Sequence, residues 1–192
     1  KAYQDDVKGF YDVIKKQGAD EINGTDFRFD LEKLAITPVM QNIEKKLSNP
    51  IARERFISYA SRIENASSDR TFSGLLELRA AVNDFKYSKT LSTPDMEALN
   101  TVLNKIDGQI NKAVKQYMPD TGKQWTENFA KAKAEYSKMK QLQENSLFRI
   151  VNRPGATEHS IQQALSRYGS EKDVDAEVFN ALVERLAPAT RA

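Results

Sequence analysis

Residues 93–143 constrain this chain more than any other stretch. Met96, Leu99, Leu103, Ile106, Ile110, Ala113 and Tyr117 recur in steps of three and four, and Trp125, Phe129, Ala132, Tyr136 and Met139 repeat the pattern after a break at 119–122. Such steps keep side chains on one face of an α-helix. Two helices joined by so short a connection must turn back on each other as an antiparallel hairpin. The first arm, residues 94–117, is expected to run about 36 Å, and the second covers residues 123–143.

The rest of the chain reads as shorter helices set around that hairpin. Tyr3, Val7, Phe10 and Ile14 form a stripe on a helix over residues 2–17, with Gly18 placed just past its end. Gly9 inside that helix lowers its propensity by about 1 kcal/mol, so either a neighbour packs closely there or the helix is marginal. Asn23 and Gly24 signal a turn, after which Phe27, Phe29 and Leu31 alternate with polar residues. With no second strand to pair with, this reads as an extended segment laying two phenylalanines on the helices. Thr37, Asn49 and Thr93 each precede a proline, the pairing favoured at a helix start. Helices are therefore expected from Pro38, Pro50 and Pro94, and a further one, introduced by Ser67, Ser68 and Asp69, carries Phe72, Leu75, Leu78, Val82 and Phe85.

Beyond the hairpin, Asn152, Arg153, Pro154 and Gly155 stop the helical pattern, and two short helices are expected over 157–168 and 173–187. The predicted architecture is all-α. A multi-helix bundle is built on the hairpin over residues 1–152, and a small helical pair over 153–192 packs on the same body.

Composition narrows the chemistry. The chain has 192 residues, 29 basic and 27 acidic side chains, one histidine and no cysteine. That length supports a real hydrophobic core. The near balance of charge argues against a polyanionic partner held by the whole molecule's field. The missing thiols exclude disulfides and cysteine chemistry, and a lone His159 cannot furnish a zinc site. No apolar run reaches the length of a membrane-spanning helix. The chain opens on Lys1 rather than Met, which suggests a segment of a longer protein.

Individual motifs resolve into structural roles. Thr121, Gly122 and Lys123 look like part of a phosphate loop, but that loop needs an earlier glycine and a following Ser or Thr, where Tyr117 and Gln124 stand. The turn reads better as Pro119 ending one arm, Asp120 or Thr121 capping the next, and Gly122 easing the bend. Residues 20–26 lack the ligand spacing of a calcium loop. Glu127 with Lys131, Lys131 with Glu135, and Glu135 with Lys138 have the spacing of surface ion pairs. Trp125, Phe129, Tyr136 and Phe148 fit a core stripe better than a ligand platform. The C-terminal pair has a helix-turn-helix outline, but Glu171, Asp173, Asp175 and Glu177 crowd the end that would meet DNA.

From Trp125 onward, the order Trp125, Phe129, Ala132 and Tyr136, then Leu147 and Phe148, Pro154 and Gly155, residues 166–169, and Val178 and Leu182 resembles helical segments of large tailed-bacteriophage proteins of the internal-virion or DNA-ejection kind. The resemblance implies a structural part of a virion protein, located in the virion or the host cytoplasm, with any lytic domain elsewhere in the parent chain. It transfers no catalytic residue.

The expected function is thus a non-enzymatic structural or interaction module, meeting other segments of its parent or copies of itself, with no cofactor, metal, small molecule or membrane. A second expectation is weak, sequence-independent DNA contact through hairpin lysines, where eight lysines face six acids. The face carrying Lys131, Lys133, Lys138 and Lys140 is the first place to look. A third is an enzyme using carboxylates alone, which requires two acids in a cleft without lysine partners.

Overall fold

The computed structural model describes residues 2–88 and 91–144, together with 157, 159 and 163. Among the described residues there are seven α-helices and no strand: α1 (Ala2–Ile22), α2 (Leu31–Leu34), α3 (Ile36–Lys46), α4 (Pro50–Ser68), α5 (Phe72–Lys86), α6 (Thr93–Tyr117) and α7 (Gly122–Glu144). The all-α bundle expected from periodicity is what forms. Apart from residues 157, 159 and 163, the expected C-terminal helix pair lies outside the described residues, as does the 152/153 boundary.

The chain divides into two compact units. One is Gly9–Ala132 and holds nearly all the described packing. The other comprises Lys1–Lys8 with Lys133–Ala192, and Val7 and Met139 are buried side chains within it.

Local chemistry sets the helix starts. Asn49 Oδ1 accepts the Ile51 N–H at 2.8 Å, with Pro50 in the first turn, as the sequence predicts. At α6 the cap is Ser92 rather than Thr93. Its Oγ accepts from the Asp95 N–H at 3.4 Å and donates to Asp95 Oδ2 at 2.6 Å, so cap and third helical residue bind each other.

Two other expected starts move. Ser67 and Ser68 close α4 instead of opening α5, their hydroxyls donating to Ile63 O and Asn65 O at 2.7 Å. Thr71 caps α5, accepting from the Gly74 N–H at 3.2 Å. Nor does Thr37 cap α3, which begins at Ile36 after Ala35 in the left-handed region at φ 56°. That corner buries Leu34 and Ile36 on either side of it, and their burial offsets the roughly 1–2 kcal/mol of a left-handed alanine.

The predicted extended segment is present. Phe29 is buried, its N–H donates to Arg70 O at 3.1 Å, and Arg70 lies over its ring. Phe27 meets Phe72 and Tyr117 edge-on.

The centre of the bundle is α5 rather than the hairpin. Phe72, Leu75, Leu78, Val82 and Phe85 face one way, but Gly74, Leu76, Ala80, Ala81 and Asn83 are buried too. A helix buried on most of its circumference needs neighbours on several sides. Its closest are α4 and α6, and α2 and α3 lie against α6. Both hairpin arms form as expected, but they choose different partners. Whereas α6 packs on α5, α7 sends Trp125 and Phe129 to α1 and α5, with ring centroids 5.8 Å from Phe72 and 5.9 Å from Tyr11 respectively. Trp125 and Phe129 stack on each other at 4.7 Å and are buried, so they are core, as the stripe predicts.

Candidate functional site

The lysines proposed from sequence on α7 do not share one face. At about 100° per residue, positions 131 and 138 fall on one side of the helix and positions 133 and 140 nearly opposite. Lys131 and Lys138 are exposed and Lys133 is half-buried, while the Lys140 side chain lies outside the described residues. Among the described residues, Glu127 and Lys131 form no ion pair with each other, so the ladder expected along this helix is not continuous.

A different basic surface emerges on α6. Its exposed side chains over residues 101–116 are Thr101, Asn104, Lys105, Asn111, Lys112, Lys115 and Gln116, with Gly108 in the middle. They recur every three or four residues and so form one stripe opposite the buried face. Every charge on the stripe is positive.

Two of the acids near these lysines in the sequence, Asp95 and Asp107, are turned elsewhere, whereas Asp120, in the turn beyond the stripe, is exposed. Asp95 is 5% exposed, on the same side of α6 as Leu99, Val102 and Ile106, and accepts from Lys46 Nζ at 2.6 Å. Asp107 is held by Arg79 through two bonds, Nε to Oδ1 at 2.6 Å and Nη2 to Oδ2 at 3.3 Å. Glu97 stands one turn before the stripe begins. Lys105, Lys112, Lys115 and Lys123 have no ion-pair partner within 4 Å among the described residues.

At its C-terminal end the stripe opens into a groove of about 490 Å³ at the hairpin turn. Val114, Met118, Pro119 and Gly122 line it with apolar atoms, and Lys115, Lys123 and Glu127 add charge at its walls. Gly122 is there for close packing. A Cβ on it would meet Val114 Cγ1 at 2.8 Å, and its N–H donates to Met118 O at 2.8 Å. The expected capping role of Thr121 is not taken by its side chain, which donates instead to Glu21 Oε2 at 2.8 Å. A second groove, between α1 and α5, is lined by Asp12, Lys15, Asn23, Ser73 and Glu77. Its groups satisfy one another, Lys15 pairing with Glu77, and Asn23 with Ser73 through two bonds.

Asp84 likewise holds two helices together. Arg62 Nη1 reaches Asp84 at 2.6 Å between α4 and α5. Asp30 accepts from Lys33, which holds its carboxyl below the usual range. Burial alone pushes the Asp95 carboxyl up, but hydrogen bonds from Lys46 and Ser92 outweigh it and the net shift is downward. Burial pushes the Tyr11 hydroxyl up, with Arg79 beside it acting in the opposite direction. Asp26, in the segment with a faint calcium-loop look, accepts from the Tyr117 hydroxyl at 2.7 Å. His159 is exposed, with Gln163 Nε2 3.1 Å from its Nε2.

No protein-family model matches the chain, and neither a curated protein nor a solved structure does.

The α6 stripe was within reach of sequence reasoning. Residue 95 falls on the apolar side of the helix with Leu99, Val102 and Ile106, so its charge does not belong with the outward lysines. The inward commitment of Asp107 had no such signal, because it depends on Arg79, 28 residues away.

Proposed function

We propose that the chain is a non-enzymatic helical interaction module of a larger protein. The observation that carries this reading is on α1. Phe10 and Val13, one turn apart, are 42% and 63% exposed, while the neighbouring Tyr11 and Ile14 enter the core, so Phe10 stands outside the buried stripe on which the sequence places it. Large apolar side chains grouped outside a core suit contact with another protein surface. Ile51 and Ile57 on α4, each 63% exposed, extend the same property to a second helix.

The use of charge supports this reading as well. Asp84, Asp95 and Asp107 each bind a cation from another helix, a role in fixing helix positions rather than in turning over a substrate. The order of features from Trp125 onward, similar to internal-virion proteins of tailed phages, supports a virion protein as the parent.

Light scattering across a concentration series tests the module reading. The expected result is reversible self-association, or binding to another segment of the parent, that Phe10→Ser with Val13→Ser weakens at unchanged helicity. A strict monomer that binds no parent segment would overturn it.

A further inference from the structure

The α6 stripe has a chemistry of its own, independent of the apolar side chains on α1 and α4. Lys105, Lys112 and Lys115 share one face over about 15 Å of helix, and Lys123 joins Lys115 at the groove beyond the turn. Over residues 101–116 the exposed side chains include no acid and no apolar group. Alongside the lysines stand Asn104, Asn111 and Gln116, whose amides donate hydrogen bonds without adding negative charge, and Thr101, whose hydroxyl donates to Glu97 O at 3.1 Å.

This composition separates two kinds of anionic partner. Protein interfaces centre on aromatic, Met and Arg side chains and are depleted in lysine, because an interface core must be desolvated. A nucleic-acid backbone is contacted by lysines and by Ser, Thr, Asn and Gln side chains, with no apolar centre required. Binding single strands adds aromatic platforms on which bases stack, and the stripe has none. The overall charge of +2 does not oppose this. Screening at physiological salt confines each charge to about 8 Å, so the local excess decides contact.

We propose that the outer face of α6, residues 101–116 with Lys123 across the turn, binds the phosphate backbone of duplex nucleic acid without reading its sequence. Glu97 at one end of the stripe, Asp120 in the turn and Glu127 beside the groove are the exposed acids that border this surface.

Fluorescence anisotropy of a labelled duplex DNA, titrated with the full chain, tests this directly. With four phosphate contacts, raising salt from about 50 to about 200 mM weakens binding about 150-fold. Replacing Lys105, Lys112 and Lys115 together by Gln reduces that dependence to about three- to fourfold and lowers affinity at least tenfold at low salt, while replacement by Arg retains binding. Circular dichroism confirms that the Gln variant is folded; the substituted positions are all solvent-exposed. Lys131→Gln with Lys138→Gln on α7 leaves both quantities within about twofold.

Absence of binding at low salt would overturn the proposal, as would an unchanged salt dependence in the triple Gln variant. An equal effect from the α7 pair would remove the assignment to α6. Tighter binding to a single strand would contradict the duplex, and equal affinity for polyglutamate would point to an acidic protein instead.

Discussion

The indole ring of Trp125 occupies the space that a side chain on Gly18 would need. A Cβ built on Gly18 falls 2.8 Å from the Trp125 ring, and the ring N–H donates to Ile14 O at 2.8 Å, four residues earlier on α1. Residue 18 is therefore glycine for contact. It lies inside α1 rather than past its end.

Gly18→Ala is expected to destabilise the fold by about 1–3 kcal/mol through overpacking, in spite of alanine's better helix propensity. Gly9→Ala on the same helix, where an added Cβ meets nothing within 4 Å, is expected to stabilise by up to about 1 kcal/mol. Urea unfolding followed by fluorescence of the single tryptophan compares them directly. Equal effects of the two substitutions would contradict the packing argument.

Gly74 meets a harder obstacle. Its added Cβ would lie 1.8 Å from the Asp69 carbonyl oxygen, and backbone gives way far less readily than a side-chain tip. Gly74→Ala should cost about 3 kcal/mol or more and lower the thermal midpoint further than Gly18→Ala does.

Arg79 links three helices, pairing with Asp107 on α6 and lying over the Phe129 ring on α7 at 5.8 Å. Its side chain is only 11% exposed. Asp107→Asn leaves a cation in the core margin without its counter-charge, and about 3 kcal/mol is expected to be lost. A double-mutant cycle with Arg79→Met should return a coupling of about 1 kcal/mol or more. Additive losses would mean that the pair is incidental.

Asp95 makes stability depend on acid. Its folded-state carboxyl lies below the ordinary 3.8, so its contribution is present above that value and disappears as pH falls through the lower folded value. Chemical-denaturation midpoints between about pH 6 and about pH 2 should fall more steeply for the parent chain than for Asp95→Asn. Parallel curves would exclude the Lys46 and Ser92 contacts as the cause.

The sequence by itself determined the all-α class, both arms of the hairpin, the Asn49 cap and the extended segment bearing Phe27 and Phe29. Each follows from interactions spanning a few residues, where side-chain period and backbone capping act directly. Only the tertiary structure decided that α5 is the central helix, since its second buried side mixes Gly74, Ala80 and Ala81 with Leu76 and Asn83 and carries little periodic signal. The same holds for Gly18, whose role depends on Trp125, 107 positions further along the chain. It holds equally for the lysines. On the linear chain they appear balanced by nearby acids, but Asp95 and Asp107 are drawn to Lys46 on α3 and Arg79 on α5, leaving the outer face of α6 positively charged. Local propensity chooses helices; contacts between residues distant in sequence choose which faces meet and which charges remain outside.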